Sequence, residues 1–214
     1  MVYNSDIKKK EKRKKMNKQH ETKRGAAISG HGSRKHTQIR DMVLISLFAA
    51  LIAVCSIITI PTTVPFTLQT LAVFLAGSTL GLKRGTASVL VYILLGAVGL
   101  PVFSQFKSGV SAIIGPTGGY IIGFIATVVI VGFFHDRFGS KIWINAAAMA
   151  LGLLICYIFG TIWFIVVFNQ TKGGMDLIKA LHICVIPFLL FDAAKIGAAA
   201  VISNRINAII KHHA

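Results

Sequence analysis

Long uncharged apolar segments recur along this 214-residue chain, and they restrict its fold more than any other feature. The first segment, residues 42–60, contains 19 residues without a charge, which is enough to cross a bilayer as one helix. Hydrophobic residues make up 54% of the chain and charged residues only 14%, whereas a soluble domain carries charge on about a quarter of its residues. The sequence therefore predicts an all-α integral membrane protein.

Prolines, glycines and charged residues divide the apolar part into six segments, with residues 102–115 interpreted as a loop. The segments are 42–60, 66–82, 86–100, 116–134, 142–168 and 177–202. Lys and Arg concentrate before the first segment, after the last one and in alternate loops, as at Lys83 and Arg84. Positive loops face the cytoplasm. We therefore predict six transmembrane helices with both termini cytoplasmic.

The formal net charge of +16 is concentrated at the N-terminus, where residues 1–40 hold 13 of the 23 Lys and Arg residues. So polar a segment cannot bury enough apolar surface to fold. We predict a disordered cytoplasmic tail over 1–40, a six-helix transmembrane domain over 41–205 and a short cytoplasmic tail over 206–214. A basic segment next to a span is attracted to anionic lipids, so we expect contact with membrane lipids and no nucleic acid.

Two charged residues, Asp192 and Lys195, lie inside the last apolar segment. Each charge costs about 2.5–3.5 kcal/mol at the bilayer centre on insertion scales, and such residues usually mark a substrate or ion pathway. Their spacing places both side chains on one face of a helix. We predict that the pair forms the centre of a ligand site; the alternative is an ion pair that only joins two helices.

Motifs for ATP hydrolysis or catalysis do not accompany this pair. The sequence has no G-x-x-x-x-G-K-[ST] loop, no H-E-x-x-H motif and no nucleophile elbow. Its three cysteines, Cys55, Cys156 and Cys184, lie in apolar segments, which favours small buried side chains over a disulfide framework. We therefore predict no catalytic residue, no metal and no directly bound cofactor.

Four motifs occur in a characteristic order: PFTLQTLAVFLAG at 65–77, GLPVF at 99–103, GPTGGYIIGF at 115–124 and PFLLFDAAK at 187–195. Together they resemble the BioY family, the biotin-binding S components of energy-coupling factor (ECF) transporters, over about residues 40–205. The resemblance implies an S-component fold in the bacterial cell membrane and high-affinity capture of biotin near the outer face. It also implies a transmembrane T component and two ATPase subunits, which use ATP, as partners.

The motifs supply the predicted substrate-binding residues. These are Asp192, Lys195, Thr117, Gly118, Gly119, Tyr120, Gln69 and Thr70. Biotin offers two ureido N–H donors, a ureido carbonyl, an apolar thioether ring and a carboxylate. We expect Asp192 to accept a ureido N–H, and Lys195 to donate to the ureido carbonyl or to the carboxylate.

The GPTGGY motif has two interpretations. Amide N–H groups of Thr117, Gly118 and Gly119 near a helix start are suited to hold a carboxylate, with Tyr120 against the bicyclic ring. Small residues equally permit close helix packing. Gln69 and Thr70 similarly either reach the pocket or bond to a neighbouring helix.

Other positions depart from the family pattern or extend it. Many relatives have a Gly-rich stretch before GPTGGY, and residues 104–106, Ser-Gln-Phe, interrupt it here. In S components a small-residue face of the A-x-x-x-A kind docks the T component, so the resemblance implies partner docking for Ala49 and Ala53. Phe66 and Trp163 are candidates for the apolar walls of the site.

Three alternative functions remain open at this point. An S component for another vitamin, such as thiamine or riboflavin, would have the same fold. A small intramembrane enzyme would use Asp192 as acid or base beside Lys195. A structural scaffold would use the pair only to hold helices together.

Overall fold

The computed structural model describes residues 38–171 and 173–212. The predicted N-terminal tail therefore lies outside the described residues except for 38–40, which are helical. The chain divides into two units, 1–43 and 44–214. Residues 38–43 form the start of a helix, and the second unit contains the hydrophobic core.

Helices account for most of the regular structure in the described residues. They are α1 (Gln38–Ile57), α2 (Gln69–Ala97), α3 (Val110–Ile114), α4 (Gly118–Phe138), α5 (Ile142–Thr171), α6 (Leu177–Cys184) and α7 (Ile186–His212). Between α1 and α2, the strands β1 (Thr59–Ile60) and β2 (Phe66–Thr67) pair antiparallel. Among the described residues, five helices are long and apolar enough to cross a membrane: α1, α2, α4, α5 and α7. The prediction of an all-helical membrane protein is confirmed.

Helix α2 reverses its direction at Gly81, next to the predicted loop of Lys83 and Arg84. Gly81 has φ 77° and ψ −172°, a conformation that is essentially restricted to glycine. Beyond this point the chain returns along itself, since a Cβ on Gly85 would lie 2.8 Å from the Ala76 carbonyl oxygen. In a straight helix, nine residues separate these positions by about 13.5 Å. The element is therefore a hairpin of two helical arms, 69–80 and 82–97.

Asp136, in the last turn of α4, caps the α2 reversal. Its Oδ2 accepts a hydrogen bond from the Leu82 backbone N–H at 3.1 Å. A Cβ on Gly81 would lie 2.3 Å from Asp136 Oδ1. The turn thus needs glycine for two reasons, its left-handed φ and its close approach to the carboxylate.

Small residues let α4 and α5 pack closely in antiparallel orientation. The Cβ position of Gly123 lies 2.8 Å from Cys156 Sγ, and that of Gly152 lies 3.1 Å from Thr127 Cα. The Thr127 hydroxyl crosses between the helices and donates to the Gly152 carbonyl at 3.0 Å. Such contacts replace the hydrophobic driving force, which is missing between helices in lipid.

The first arm of α2 runs parallel to α4 and contacts it along its length. Gly77 packs against Val131, and Gly81 against Asp136 at the same end of both helices. Helix α7 joins this group through Asn207, whose side-chain amide donates to the Ser78 carbonyl at 2.9 Å. Residues 206–212, which were predicted to be a tail, continue helix α7.

The predicted last span, 177–202, is divided into α6 and α7 at Val185, which has φ −124° and ψ −57°. Pro187 is the physical reason. It has no N–H to donate to the Ile183 carbonyl, and its ring would collide with that carbonyl in a continuous helix. The break leaves Asp192 and Lys195 together on α7.

A strained turn occupies the predicted loop between α2 and α4. Gln105 and Phe106, within the 3-10 turn Ser104–Phe106, have φ values of 60° and 57°. These left-handed conformations favour glycine. They fall where the sequence interrupts the Gly-rich stretch described for the family.

We expect Gly81→Ala to lower the free energy of unfolding by about 2 kcal/mol or more, because a side chain there adds backbone strain and a clash with Asp136. The apparent melting temperature in detergent measures this loss. Gly197→Ala is the control, since Gly197 lies in α7 with open space around its Cβ position. Equal stability of the two variants would contradict the proposed role of the turn.

Candidate functional site

The two intramembrane charges form an ion pair inside the protein. Lys195 Nζ lies 2.8 Å from Asp192 Oδ1, with the residues one helical turn apart on α7. Asp192 is 2% exposed and Lys195 is 8% exposed. A buried pair is tolerated only when further hydrogen bonds satisfy its remaining donors and acceptors.

Neighbouring elements supply those bonds to Asp192. Thr70, in the first turn of α2, donates its hydroxyl to Oδ1 at 3.2 Å. Tyr157, in the middle of α5, donates its hydroxyl to Oδ2. The carboxylate therefore joins three helices, because α2, α5 and α7 each contribute a donor.

Lys195 is held by the β1–β2 hairpin. Its Nζ donates to the Thr67 carbonyl at 2.6 Å and lies 5.2 Å from the centre of the Phe66 ring. A cation over an aromatic face is attracted to the ring quadrupole. Phe66 is in turn stacked on Phe188 of α7, with ring centres 4.5 Å apart. The ammonium group thus ties strand β2 to α7.

Two small cavities lie beside this pair. The first, here called the charged chamber, measures about 60 Å³ and contains both charges; the second, the neutral chamber, measures about 50 Å³. Residues lining only the charged chamber include Thr70, Cys156, Tyr157, Cys184, Asp192 and Lys195. Residues lining only the neutral chamber are Gln69, Tyr92, Ser104, Thr117 and Ile121. The wall between them, formed by Val64, Pro65, Thr67, Tyr120 and Phe124, lines both.

Most of the predicted binding residues meet at these chambers. Asp192, Lys195 and Thr70 line the charged chamber, Gln69 and Thr117 line the neutral chamber, and Tyr120 lines both. The Tyr120 hydroxyl also lies 3.1 Å from Thr161 Oγ1 on α5. The structure therefore brings together six of the eight residues that the sequence singled out.

Gly118 and Gly119 line neither chamber. A Cβ on Gly118 would lie 1.6 Å from the Ile113 carbonyl oxygen, and one on Gly119 would lie 2.3 Å from Trp163 Cβ. The Gly118 N–H is already used in a bond to the Gly115 carbonyl at 3.0 Å. This geometry favours the packing interpretation of both glycines over the predicted contact with a ligand.

Three further predicted positions also lie away from the chambers. Trp163 donates its indole N–H to the Gly115 carbonyl at 3.0 Å and so fixes the loop before α4. Ala49 is 1% exposed and belongs to the core, while Ala53 is half-buried against it. In this structure the Ala49 side chain is not accessible to a partner, so its surroundings favour packing.

Tyr157 is the contact that sequence reasoning missed. It lies in a long apolar segment, where a tyrosine is indistinguishable from a residue of an apolar wall. A phenolic hydroxyl at membrane depth requires a hydrogen-bond partner, and this requirement was the one indication in the sequence that Tyr157 contacts a polar group. The sequence does not indicate that the partner is Asp192, because 35 residues separate the two.

A larger cavity of about 500 Å³ lies beyond strand β2. Its lining is mostly apolar, with Ile58, Ile60, Leu71 and Phe191 among its residues, and Lys195 reaches its edge. Ile58, Ile60 and Phe191 are exposed at the protein surface. The convergent polar groups of a ligand site lie in the two chambers instead.

The chain matches the family model described as BioY family over residues 25–212. The biotin transporter BioY of Thermotoga maritima is 41% identical over 169 residues, which cover 78% of this chain and 96% of that protein. The probable biotin transporter BioY of Pyrococcus horikoshii is 37% identical over 170 residues, covering 78% of this chain and 96% of that protein.

A solved structure has the same architecture. The crystal structure of the S-component for biotin from an ECF-type ABC transporter superposes with a TM-score of 0.72 and 26% sequence identity. The match covers 80% of this chain and 92% of that one. The motifs, the helical architecture and these relatives lead to one conclusion: the chain belongs to the BioY family.

Proposed function

We propose that this chain captures biotin at the cell membrane as the substrate-specific S component of an ECF transporter. The observation that carries the proposal is the buried Asp192–Lys195 pair beside two adjoining chambers, in a chain of the BioY family. The protein is a multi-pass membrane protein and a transporter subunit rather than an enzyme.

The pair suits the ureido group of biotin. Asp192 Oδ2 receives a single hydrogen bond from Tyr157 and can accept a ureido N–H as well. Lys195 can exchange its bond to the Thr67 carbonyl for one to the ureido carbonyl. The ligand bond at Asp192 is added to the Tyr157 bond, whereas the ligand bond at Lys195 replaces the Thr67 bond. Both charges therefore stay satisfied.

Binding requires the chambers to widen, because ligand pockets usually measure about 300–1,000 Å³. The wall between the chambers includes Val64, Pro65 and Thr67, which belong to the β1–β2 hairpin and its loop. Within the described residues, strand β2 is tied to α7 through the Lys195 contacts. We propose that this hairpin moves to admit biotin and closes over it.

We further propose six membrane crossings with both termini cytoplasmic. Each arm of the α2 hairpin then crosses once, which turns five apolar helices into six crossings. The basic residues Lys83, Arg84 and Arg137 lie at one end, as positive loops on the cytoplasmic side should. The chambers lie at the opposite end, near Gln69 and Thr117, so biotin enters from outside.

A transmembrane T component and two ATPase subunits complete the proposed transporter, and ATP is used by those ATPases. Docking of the T component on the A-x-x-x-A face of α1 stays a prediction for Ala53, which is half-buried. The burial of Ala49 gives it a packing role in this structure.

The alternative ligands thiamine and riboflavin are distinguished by their competition with labelled biotin.

We expect Asp192→Asn and Lys195→Ala each to weaken biotin binding at least about tenfold, a loss of about 1.4 kcal/mol, because each removes a ligand contact. Titration calorimetry on purified protein measures the affinity. The double variant Asp192→Asn with Lys195→Met leaves no unpaired charge and separates binding from folding. Lys83→Ala is the control at the opposite end, and near-normal affinity of both site variants would refute the assignment.

Tyr157→Phe should weaken biotin binding by about tenfold, because a hydrogen bond to a carboxylate contributes about 1.5–3 kcal/mol and orients it. The same calorimetric titration applies. Thr171→Val is the control, since Thr171 is exposed and its hydroxyl bonds to the carbonyls of Val167 and Phe168 within α5. If the two variants bind biotin equally well, Tyr157 does not position Asp192 for the ligand.

The six-crossing topology predicts which loops an impermeant thiol reagent reaches from outside intact cells. A cysteine introduced at Lys107 should react from outside, whereas one at Lys83 or Arg137 should react only after the membrane is opened. The native cysteines are half-buried or buried, which limits background labelling. Labelling of Lys83→Cys from outside would show that α2 crosses only once or that the orientation is reversed.

A further inference from the structure

We infer that the turn between α4 and α5, together with the adjoining α2 reversal, forms a binding surface for the phosphate headgroups of anionic membrane lipids. This surface, here called the basic turn, consists of residues 82–84 and 137–143. It lies at the opposite end of the helices from the two chambers and shares no residue with them. The inference therefore goes beyond the proposed function and uses no part of the biotin site.

Two basic segments that are distant in the sequence meet in the basic turn. The Leu82 backbone N–H donates to Asp136 Oδ2 at 3.1 Å, and Lys83 and Arg137 each directly follow a residue of this contact. Helix α5 begins directly after Lys141. Because α4 and α5 are antiparallel neighbours, Arg137 at the end of one helix and Lys141 at the start of the other lie at the same end of the protein.

The protein does not neutralise these cations itself. Lys83, Arg137 and Lys141 are exposed, and none of them forms an ion pair within residues 38–171 and 173–212. Asp136 is the one acidic residue within 81–84 and 136–143, and its Oδ2 is already used to cap the α2 reversal. A phosphate bound here would therefore add charge-assisted hydrogen bonds without displacing an ion pair of the protein.

Exposed aromatic side chains indicate that the basic turn lies at the depth of the lipid headgroups. Trp143 is 86% exposed and Phe138 is 49% exposed, one on each side of the turn. Tryptophan favours the boundary between hydrocarbon and water. The second tryptophan of the chain, Trp163, follows twenty residues later on the same helix, a rise of about 30 Å that equals the thickness of the hydrocarbon layer. Arg137 and Lys141, close to Trp143 in the chain, therefore lie at the level of the phosphates.

A lipid matches this surface better than a soluble anion does. Apolar side chains, Phe138, Ile142 and Trp143, are exposed among the cations. A lipid offers a phosphate to the cations and acyl chains to the apolar side chains, whereas a soluble phosphate contacts the cations alone. Basic residues at a membrane surface are attracted to anionic lipids, and the attraction falls off within a Debye length.

Quenching of Trp143 fluorescence by lipids brominated near the headgroup measures which lipids lie beside the basic turn. The full-length protein is placed in bilayers of equal phosphatidylglycerol and phosphatidylcholine, with bromine on one lipid or on the other. The signal of Trp163 is obtained from the Trp143→Phe variant and subtracted. We expect brominated phosphatidylglycerol to quench Trp143 about twofold more than brominated phosphatidylcholine, because the cations enrich the anionic lipid.

Two double variants that lose the same charge separate the basic turn from the net charge of the protein. Arg137→Gln with Lys141→Gln should abolish the preference, so that both lipids quench equally. Lys107→Gln with Lys179→Gln changes two exposed lysines at the other end and should retain it. The basic N-terminal segment is the same in both variants, and equal apparent melting temperatures show that both are folded.

Three results would overturn the inference. The first is equal quenching by the two lipids in the unmodified protein, and the second is the same preference in both double variants, whether lost or retained. The third is loss of the preference on addition of inorganic phosphate at constant ionic strength, which would assign the surface to a soluble anion. Biotin is absent from every measurement, so failure of the proposed function would leave this result unchanged.

Discussion

The need to satisfy two charges inside a membrane protein organises the region around the site. Asp192 receives donors from α2, α5 and α7, and Lys195 contacts both α7 and strand β2. Removing either partner would leave a buried charge, which destabilises a protein by about 3–5 kcal/mol. The site is therefore also a junction of the fold. A ligand that binds there can add a bond at Asp192 Oδ2, but at Lys195 it must compete with the bond to the Thr67 carbonyl.

Close helix packing makes this network possible. The glycines of α4 and α5 allow the two backbones to approach, so that the Tyr120 ring packs over Gly160 and its hydroxyl reaches Thr161. Side chains at Gly119 or Gly123 would separate the helices at the level of the site. The GPTGGY motif thus contributes to the site chiefly because its glycines let α4 lie close to α5. Its residues in the chambers are Thr117 and Tyr120.

The sequence predicted the membrane class, the Asp192–Lys195 pair and most of the chamber residues, because apolar length and intramembrane charge are local signals. Tyr157 escaped prediction because its role depends on an approach between α5 and α7, which no local pattern records. The burial of Ala49 depends likewise on the orientation of α1, and a small-residue spacing predicts close contact without identifying the neighbour. Pro187 by itself indicates a helix break near Val185. The apolar run continues across this position, however, and therefore predicted a single helix.

The capped reversal of α2 has a mechanical consequence. Asp136 fixes the end of α4 to the Gly81 turn through a backbone hydrogen bond, so the parallel pair formed by α4 and the first arm of α2 is anchored at the basic end. At the other end, Gln69 begins α2 and Thr117 directly precedes α4, and both line the neutral chamber. Since this arm of α2 also packs on α4 at Gly77, the two helices form one stiff side of the neutral chamber. Widening of the chamber therefore requires movement of its other side, the β1–β2 hairpin and its loop.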